Sequence, residues 1–257
     1  MRLIDNPHGN YRFLTGIAPY SSGVVAAPGY EVVRATLHEP LPYRQGFDLI
    51  DRHLAAQQRP GAALCAVELR APRPWSFEGF AAFNQGYQRL LADRGLLLDG
   101  QNPIARTNVA PEVAAPAEPA LYAFSYTMPW AGPSSPVTFV VAGAGELPEG
   151  VLSAEAIVRA GERSAEAMWA KAAFVIGLMR GRLAGLGATS NAITAVDLYT
   201  VHSPEPFLRS VILEAMGPAA IHSVHWYYSP RRSLGWSSRW ICVACGASCE
   251  LEIRDHG

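Results

Sequence analysis

A single arginine set among small, hydroxyl and amide neighbours is the most chemically pointed feature of the chain. Arg106 lies in the run Asn102-Pro103-Ile104-Ala105-Arg106-Thr107-Asn108-Val109. A guanidinium donates two parallel hydrogen bonds from a rigid planar fork, which matches a carboxylate. Asn108 can help orient such a ligand. The plainer alternative is an arginine that snorkels to solvent or pairs with a surface acid. After Pro111, Pro116 and Pro119, which forbid helix, Leu121, Ala123, Ser125 and Thr127 alternate with Tyr122, Phe124 and Tyr126. That period of two predicts a strand with an aromatic face, and it brings the Tyr126 phenol into consideration beside Arg106. The other polar candidates are Tyr20 and Ser21 near the start, Glu146 after Gly143-Ala144-Gly145, His202 after Tyr199-Thr200-Val201, and Tyr228. Several have a bland reading too: Glu146 as a solvated turn acid, His202 as a structural or exposed histidine, and Tyr20 and Tyr126 as packing residues with satisfied hydroxyls.

These groups need elements to position them. Val24–Ala27 and Tyr30–Leu37 read as strands. Phe47, Ile50 and Leu54 mark a helix over Gly46–Gln57, and Ala62–Leu69 is a buried-looking strand. Phe80, Phe83, Tyr87, Leu90 and Leu91 predict a helix over Phe77–Arg94, stopped by Gly95. The proline- and serine-rich run at 129–136 contains a linker, 131–136. The order of elements then recurs. Val137–Ala142 is a strand, Ser164–Leu186 a long helix, Ile193–Val201 a strand, Pro206–Met216 a shorter helix and Val224–Tyr228 a strand. Ala66-Val67-Glu68-Leu69 answers Ala195-Val196-Asp197-Leu198. The pattern predicts a duplicated α+β unit, with 1–130 and 137–257 as its two copies.

Composition narrows the partners. The 257 residues are 49% apolar and 17% charged with a net charge of −1, the make-up of a globular chain with a substantial core. No basic run recommends nucleic acid or an anionic membrane. No apolar run is long enough to span a bilayer, and the opening residues do not read as a signal peptide, so the expected address is the cytoplasm. Gly143-x-Gly145 lacks the third glycine and following helix of a phosphate-binding loop.

Several of these segments resemble the YjgF/RidA family. Gly16–Val25 (GIAPYSSGVV) is similar to its Gly-Pro-Tyr-Ser opening, Phe80–Tyr87 (FAAFNQGY) to its F-x-x-F-N-x-x-Y helix, and Ala105-Arg106-Thr107 to its Ala-Arg-Ser/Thr motif. The tandem form resembles the RidA-like 2-aminomuconate deaminases and, more distantly, the two-domain chorismatases. The resemblance implies an α+β fold of two tandem chorismate-mutase-like units, each a mixed sheet packed on two helices, and a homo-oligomer, with a trimer favoured. It implies hydrolysis of an enamine or imine carboxylate with release of ammonia. Arg106 would grip the carboxylate, Tyr20, Ser21, Asn108, Tyr126, His202 and Tyr228 would line the site, and a small carboxylate would be the partner. No cofactor is implied, because tautomerisation itself makes the electrophilic carbon. The family's acid on the strand after the arginine is missing, since Leu121–Tyr126 carries none. That leaves Glu146, or an acid from the last strand, to activate water. Vinyl-ether hydrolysis releasing pyruvate and a non-catalytic ligand-binding scaffold are the alternatives.

The end of the chain does not read as the strand the family would place there. Cys242, Cys245, Cys249 and His256 offer four possible metal ligands, but the spacing is irregular and no second C-x-x-C accompanies them, so no metal is expected. Ser233–Ala244 can be written in codons that, read two bases later, give Ala-Trp-Leu-Glu-Phe-Glu-Met-Asp-Met-Arg-Gly, an acidic alternating strand. A frame change near Ser229–Arg231 accounts for both the cysteine crowding and the absent acid. On that reading 229–257 is a non-native tail.

Overall fold

Local sequence builds the helices as expected. In the computed structural model, α1 spans Tyr43–Ala56 and buries Phe47, Ile50 and Leu54 along one face. Burying each such side chain contributes roughly 1.5–3 kcal/mol. Helix α2 spans Phe77–Asp93. Its N-cap Ser76 accepts a hydrogen bond from the Gly79 amide at 3.1 Å, satisfying one of the first-turn donors. Helix α3, Ala165–Gly185, is capped in the same way by Ser164, whose hydroxyl accepts from the Ala167 amide at 3.2 Å. A run of helical turns from Glu205 to Met216 follows, with a π-helical centre at Leu208–Leu213. The structure describes residues 1–151 and 153–229, and the backbone of 239–244 and 247–251.

Twelve strands occur among the described residues. They are β1 (Leu3–Asn6), β2 (Tyr11–Leu14), β3 (Gly23–Ala26), β4 (Tyr30–Pro42), β5 (Leu64–Arg70), β6 (Ala105–Val109), β7 (Ala120–Pro129), β8 (Phe139–Ala144), β9 (Ala195–Tyr199), β10 (His225–Tyr227), β11 (Arg239–Ala244) and β12 (Ala247–Leu251). They form a seven-stranded sheet ordered β1-β2-β3-β8-β11-β9-β10 and a five-stranded sheet ordered β12-β4-β7-β5-β6. The pairs β9/β10, β5/β6 and β4/β12 are parallel, and the rest are antiparallel. Both sheets are therefore mixed, and the α+β class holds.

The architecture of two tandem RidA-like units, each with its own sheet, does not hold. Strands β1, β2 and β3 come from the first half of the chain, yet they extend the sheet of the second half through the β3/β8 pairing, Gly23↔Val141 to Val25↔Phe139. In the other direction, β12 lies beside β4 of the first half. The physical reason is that Val24, Val25, Val140 and Val141 are apolar on both faces of their strands, so each strand can be covered on both sides and bonded at both edges. Repeated element order does not reveal which edges will meet.

The core has three main parts. One lies between the seven-stranded sheet and α3 with the 205–216 turns, around Val175, Met179, Val196, Leu198 and Ile212. A second joins the five-stranded sheet to α1 and α2 through Phe47, Leu54, Val67, Tyr87 and Phe124. A third, with Tyr11, Phe13, Val24, Cys65, Val140 and Tyr199, packs the two sheets on each other. No helix among the described residues is long and apolar enough to cross a membrane. The possible metal ligands of the cysteine cluster, and the frame-change reading, fall on side chains outside the described residues.

Candidate functional site

Arg106 sits on β6, the edge strand of the five-stranded sheet. Its register partner on β5 is Val67, which in turn pairs with Phe124 on β7, so all three point to the helix-covered face. There the F-x-x-F-N-x-x-Y stretch of α2 meets the guanidinium. Arg106 is 2% exposed. Its Nη2 donates to Asn84 Oδ1 at 2.6 Å, and its Cζ lies 4.4 Å from the Tyr87 ring centre, 5.0 Å from Tyr20, 5.6 Å from Phe83 and 5.7 Å from Phe80. Cation–π attraction to four rings holds the charge in a desolvated site, and the Asn84 carbonyl fixes the rotation of the fork. Burial raises the Tyr87 phenol, against an opposing effect from Arg106, so it remains a neutral wall.

The strand is set in place by a small polar network. The Ser21 amide bonds to Ile104 O at 3.0 Å and its hydroxyl donates to Pro103 O at 3.0 Å. Asn102 donates to Pro19 O at 2.8 Å and accepts from the Ile104 amide at 2.9 Å. Ser21 therefore positions β6, and Tyr20 beside it reaches the Arg106 face. Asn108, two residues on, is buried on the same face as Arg106. Of the expected site residues, Tyr20, Ser21 and Asn108 gather around Arg106.

The others go elsewhere. Tyr126 shares the face of Arg106 but lies two strands away, and two residues beyond Phe124, about 10 Å across the sheet. Its ring packs edge-on against His53 at 5.0 Å in the core beneath α1. Tyr126 is a packing residue rather than a partner of Arg106, because register separates them. Glu146 is not a solvated or water-facing acid. It is completely buried and lies 3.5 Å from the equally buried Lys171 of α3. Its carbonyl accepts from the Val158 amide, and the Lys171 ammonium also donates to Glu162 O at 3.1 Å. A carboxylate so enclosed pairs with Lys171 and ties the loop after β8 to α3. His202 lies in the turn after β9 with its amide bonded to Thr200 Oγ1 at 3.0 Å. Tyr228 is exposed just past β10, where its carbonyl accepts from the Glu112 amide at 3.1 Å.

A second polar cluster, which sequence reasoning missed, lies on the opposite face of the five-stranded sheet, between the sheets. Arg34 on β4 grips Glu68 on β5 with both arms, Nε to Oε1 at 2.6 Å and Nη2 to Oε2 at 3.0 Å. Arg70 lies 3.9 Å from Glu68 and stacks on Tyr122 at 3.8 Å. Across the gap, Asp197 on β9 meets His225 Nδ1 on β10 at 3.1 Å, and Tyr199 stacks on Tyr227 at 4.7 Å. Burial pushes Glu68 up, but the charge and hydrogen bonds of Arg34 outweigh it and hold Glu68 below the usual carboxylate range. Asp197 goes the other way: burial raises it and the Glu68 charge adds to that, against weaker pulls from Arg34 and His225. The matching Ala-Val-Glu-Leu and Ala-Val-Asp-Leu strands thus bring their two acids into one electrostatic neighbourhood. An acid inside an otherwise apolar strand must find a partner, and that was the signal available in the sequence. The Asp197–His225 pair has the form of a general base, with a buried carboxylate holding an imidazole that is 60% exposed. It projects from the inter-sheet side, whereas Arg106 projects towards α2.

Beside Tyr20 lies a small open cleft of about 50 Å³, lined by Tyr20, Ser22, Gly143, Gly145, Glu149 and Arg182 among others. Glu146 is next to this wall in sequence but does not line it.

Comparison with known proteins gives the family of the chain. A cyanuric acid hydrolase of known structure is 10% identical, with a TM-score of 0.40, covering 87% of this chain and 69% of its own; so distant a likeness bears on neither chemistry nor site. The 2-amino-5-chloromuconate deaminase of Comamonas testosteroni is 37% identical over 196 residues, 76% of this chain and 78% of that protein. Residues 3–231 match the family model described as 2-aminomuconate deaminase CnbZ. With nearly the whole described chain inside that match, the protein belongs to the CnbZ family of 2-aminomuconate deaminases.

Proposed function

We propose that this protein is a hydrolytic deaminase of a 2-aminomuconate-type substrate, an unsaturated six-carbon dicarboxylate bearing an enamine. The observation that carries the reading is Arg106: a buried guanidinium oriented by Asn84 and walled by Tyr20, Phe80, Phe83 and Tyr87. Such a site suits one planar carboxylate next to a conjugated chain, since the rings accept the apolar diene while the fork takes the charge. Proton transfer to carbon converts the enamine to an imine. Water then adds to the C=N carbon, and the carbinolamine expels ammonia, leaving a 2-oxo acid. Each molecule of substrate consumes one water and releases one ammonia.

The water-activating acid belongs, in this proposal, to the last strand in the alternative reading frame, because Glu146 is sealed against Lys171. The family match ends at residue 231, beside the inferred frame change. Ammonia release from freshly generated 2-aminomuconate, measured for the chain as it stands and for a frame-restored version, tests the reading. Turnover by the restored chain, abolished by Arg106→Ala, is the expected result. Absence of turnover from both chains overturns the substrate assignment, and turnover by the present chain alone overturns the role given to the last strand.

A further inference from the structure

Arg182 of α3 holds a carboxylate in the cleft that Tyr20 lines. Its Nε and Nη2 bind Glu149 Oε1 and Oε2 at 2.7 and 3.0 Å, and its Nη1 donates to Ala142 O at 2.7 Å. The arginine is buried and its orientation is fixed from the sheet side by the Ala142 carbonyl. Glu149 is different. Its side chain is one-third exposed and it lies outside regular structure, between Pro148 and Gly150, the glycine at φ +74°. Both residues line the cleft that Tyr20 also lines, and the Tyr20 ring centre lies 5.0 Å from Arg106 Cζ.

We propose that this cleft is a second carboxylate subsite, with Arg182 as its cation and Glu149 as an internal occupant that the ligand displaces. The inference rests on the dicarboxylate reading of the Arg106 site. The fork is already shown binding a carboxylate with both arms, so an incoming carboxylate reproduces the same two hydrogen bonds. The anchor to Ala142 O stays in place during the exchange, so Arg182 need not reorganise. Glu149, on an exposed loop, moves into water, where its charge is solvated. A ligand with a carboxylate at each end of a six-carbon chain would engage both Arg106 and Arg182, whose common neighbour is Tyr20, whereas a monoacid would use only the first. The Glu149 loop then serves as a selectivity device, because only a ligand able to replace the internal carboxylate opens it.

Equilibrium binding of two unreactive probes tests this in the full chain: muconate, a hexadienedioate, and hexa-2,4-dienoate, the corresponding monoacid. Glu149→Gln removes the competing charge from an exposed loop and should tighten muconate about tenfold, leaving the monoacid unchanged. Arg182→Lys should abolish the preference for muconate; if that variant fails to fold, Glu149→Gln carries the test alone. Equal effects of Glu149→Gln on both probes, or no effect on either, overturn the subsite while leaving carboxylate binding at Arg106 intact. Failure of both probes to bind any of the chains overturns the subsite together with the carboxylate reading of Arg106.

Discussion

Asn84 offers a perturbation with opposite signs for stability and for binding. Its Oδ1 accepts from Arg106 Nη2 at 2.6 Å in a buried setting. A hydrogen bond to a charged group contributes roughly 1.5–3 kcal/mol. Asn84→Ala loses it but gains up to about 0.7 kcal/mol of helix propensity in α2. The net expectation is a loss of about 1–2 kcal/mol, or a fall of roughly 2–8 °C in Tm for a chain of this size. Asn84→Asp keeps the acceptor and adds a negative charge against the guanidinium. It should hold or raise Tm while weakening carboxylate ligands at least about tenfold, because the added charge occupies the cation the ligand needs. Thermal melting with calorimetric titration of muconate reads both effects. If Asn84→Asp binds muconate as well as the parent does, Arg106 is not the carboxylate anchor and the reasoning fails.

Further expectations follow from the same geometry. Arg106→Lys keeps the charge but loses the planar fork and should lower kcat/KM about ten- to hundredfold in the ammonia-release assay of an active, frame-restored chain. Lys171→Met removes the buried cation beside Glu146 and should cost about 3–5 kcal/mol by chemical denaturation, with much of the loss recovered when Glu146→Gln is added. Tyr126→Phe should leave kcat/KM unchanged, since the ring packs on His53 and lies away from Arg106. Burial lowers the pKa of His53, so on acidification the unfolded chain takes up that proton first. Stability should therefore fall as pH drops through about 6.5, and His53→Gln should remove that part of the slope in urea titrations at pH 7.5 and 5.5.

Local patterning in the sequence was enough for the helices. Phe47, Ile50 and Leu54 in α1, and Phe80, Phe83, Tyr87, Leu90 and Leu91 in α2, specify their elements through contacts within a few turns, and the structure adds the Ser76 and Ser164 caps. Arg106 stood out for a related reason, as a lone charge between Ala105 and Thr107, and the structure buries it on β6. The Phe80–Tyr87 stretch also carried its own signal, although Asn84 was not singled out as the residue that orients Arg106.

Pairing between distant strands was decided only by tertiary structure. β3 could have closed a sheet within the first half, but its two apolar faces suit β8 as well, and nothing in either strand reports that choice. The same indeterminacy hid the roles of the acids. Glu146 looks like a turn carboxylate until α3 brings Lys171 over it. Glu68 and Asp197 look like matching positions in a repeat until packing of the two sheets makes them electrostatic neighbours. Arg182, one polar residue on a long helix, becomes a cleft residue only when Ala142 on β8 fixes one arm and the loop after β8 delivers Glu149 to the others. The residue types and helical periods are local properties of the chain. Which charge faces which is set by long-range register and burial, and those exist only once the sheets have formed.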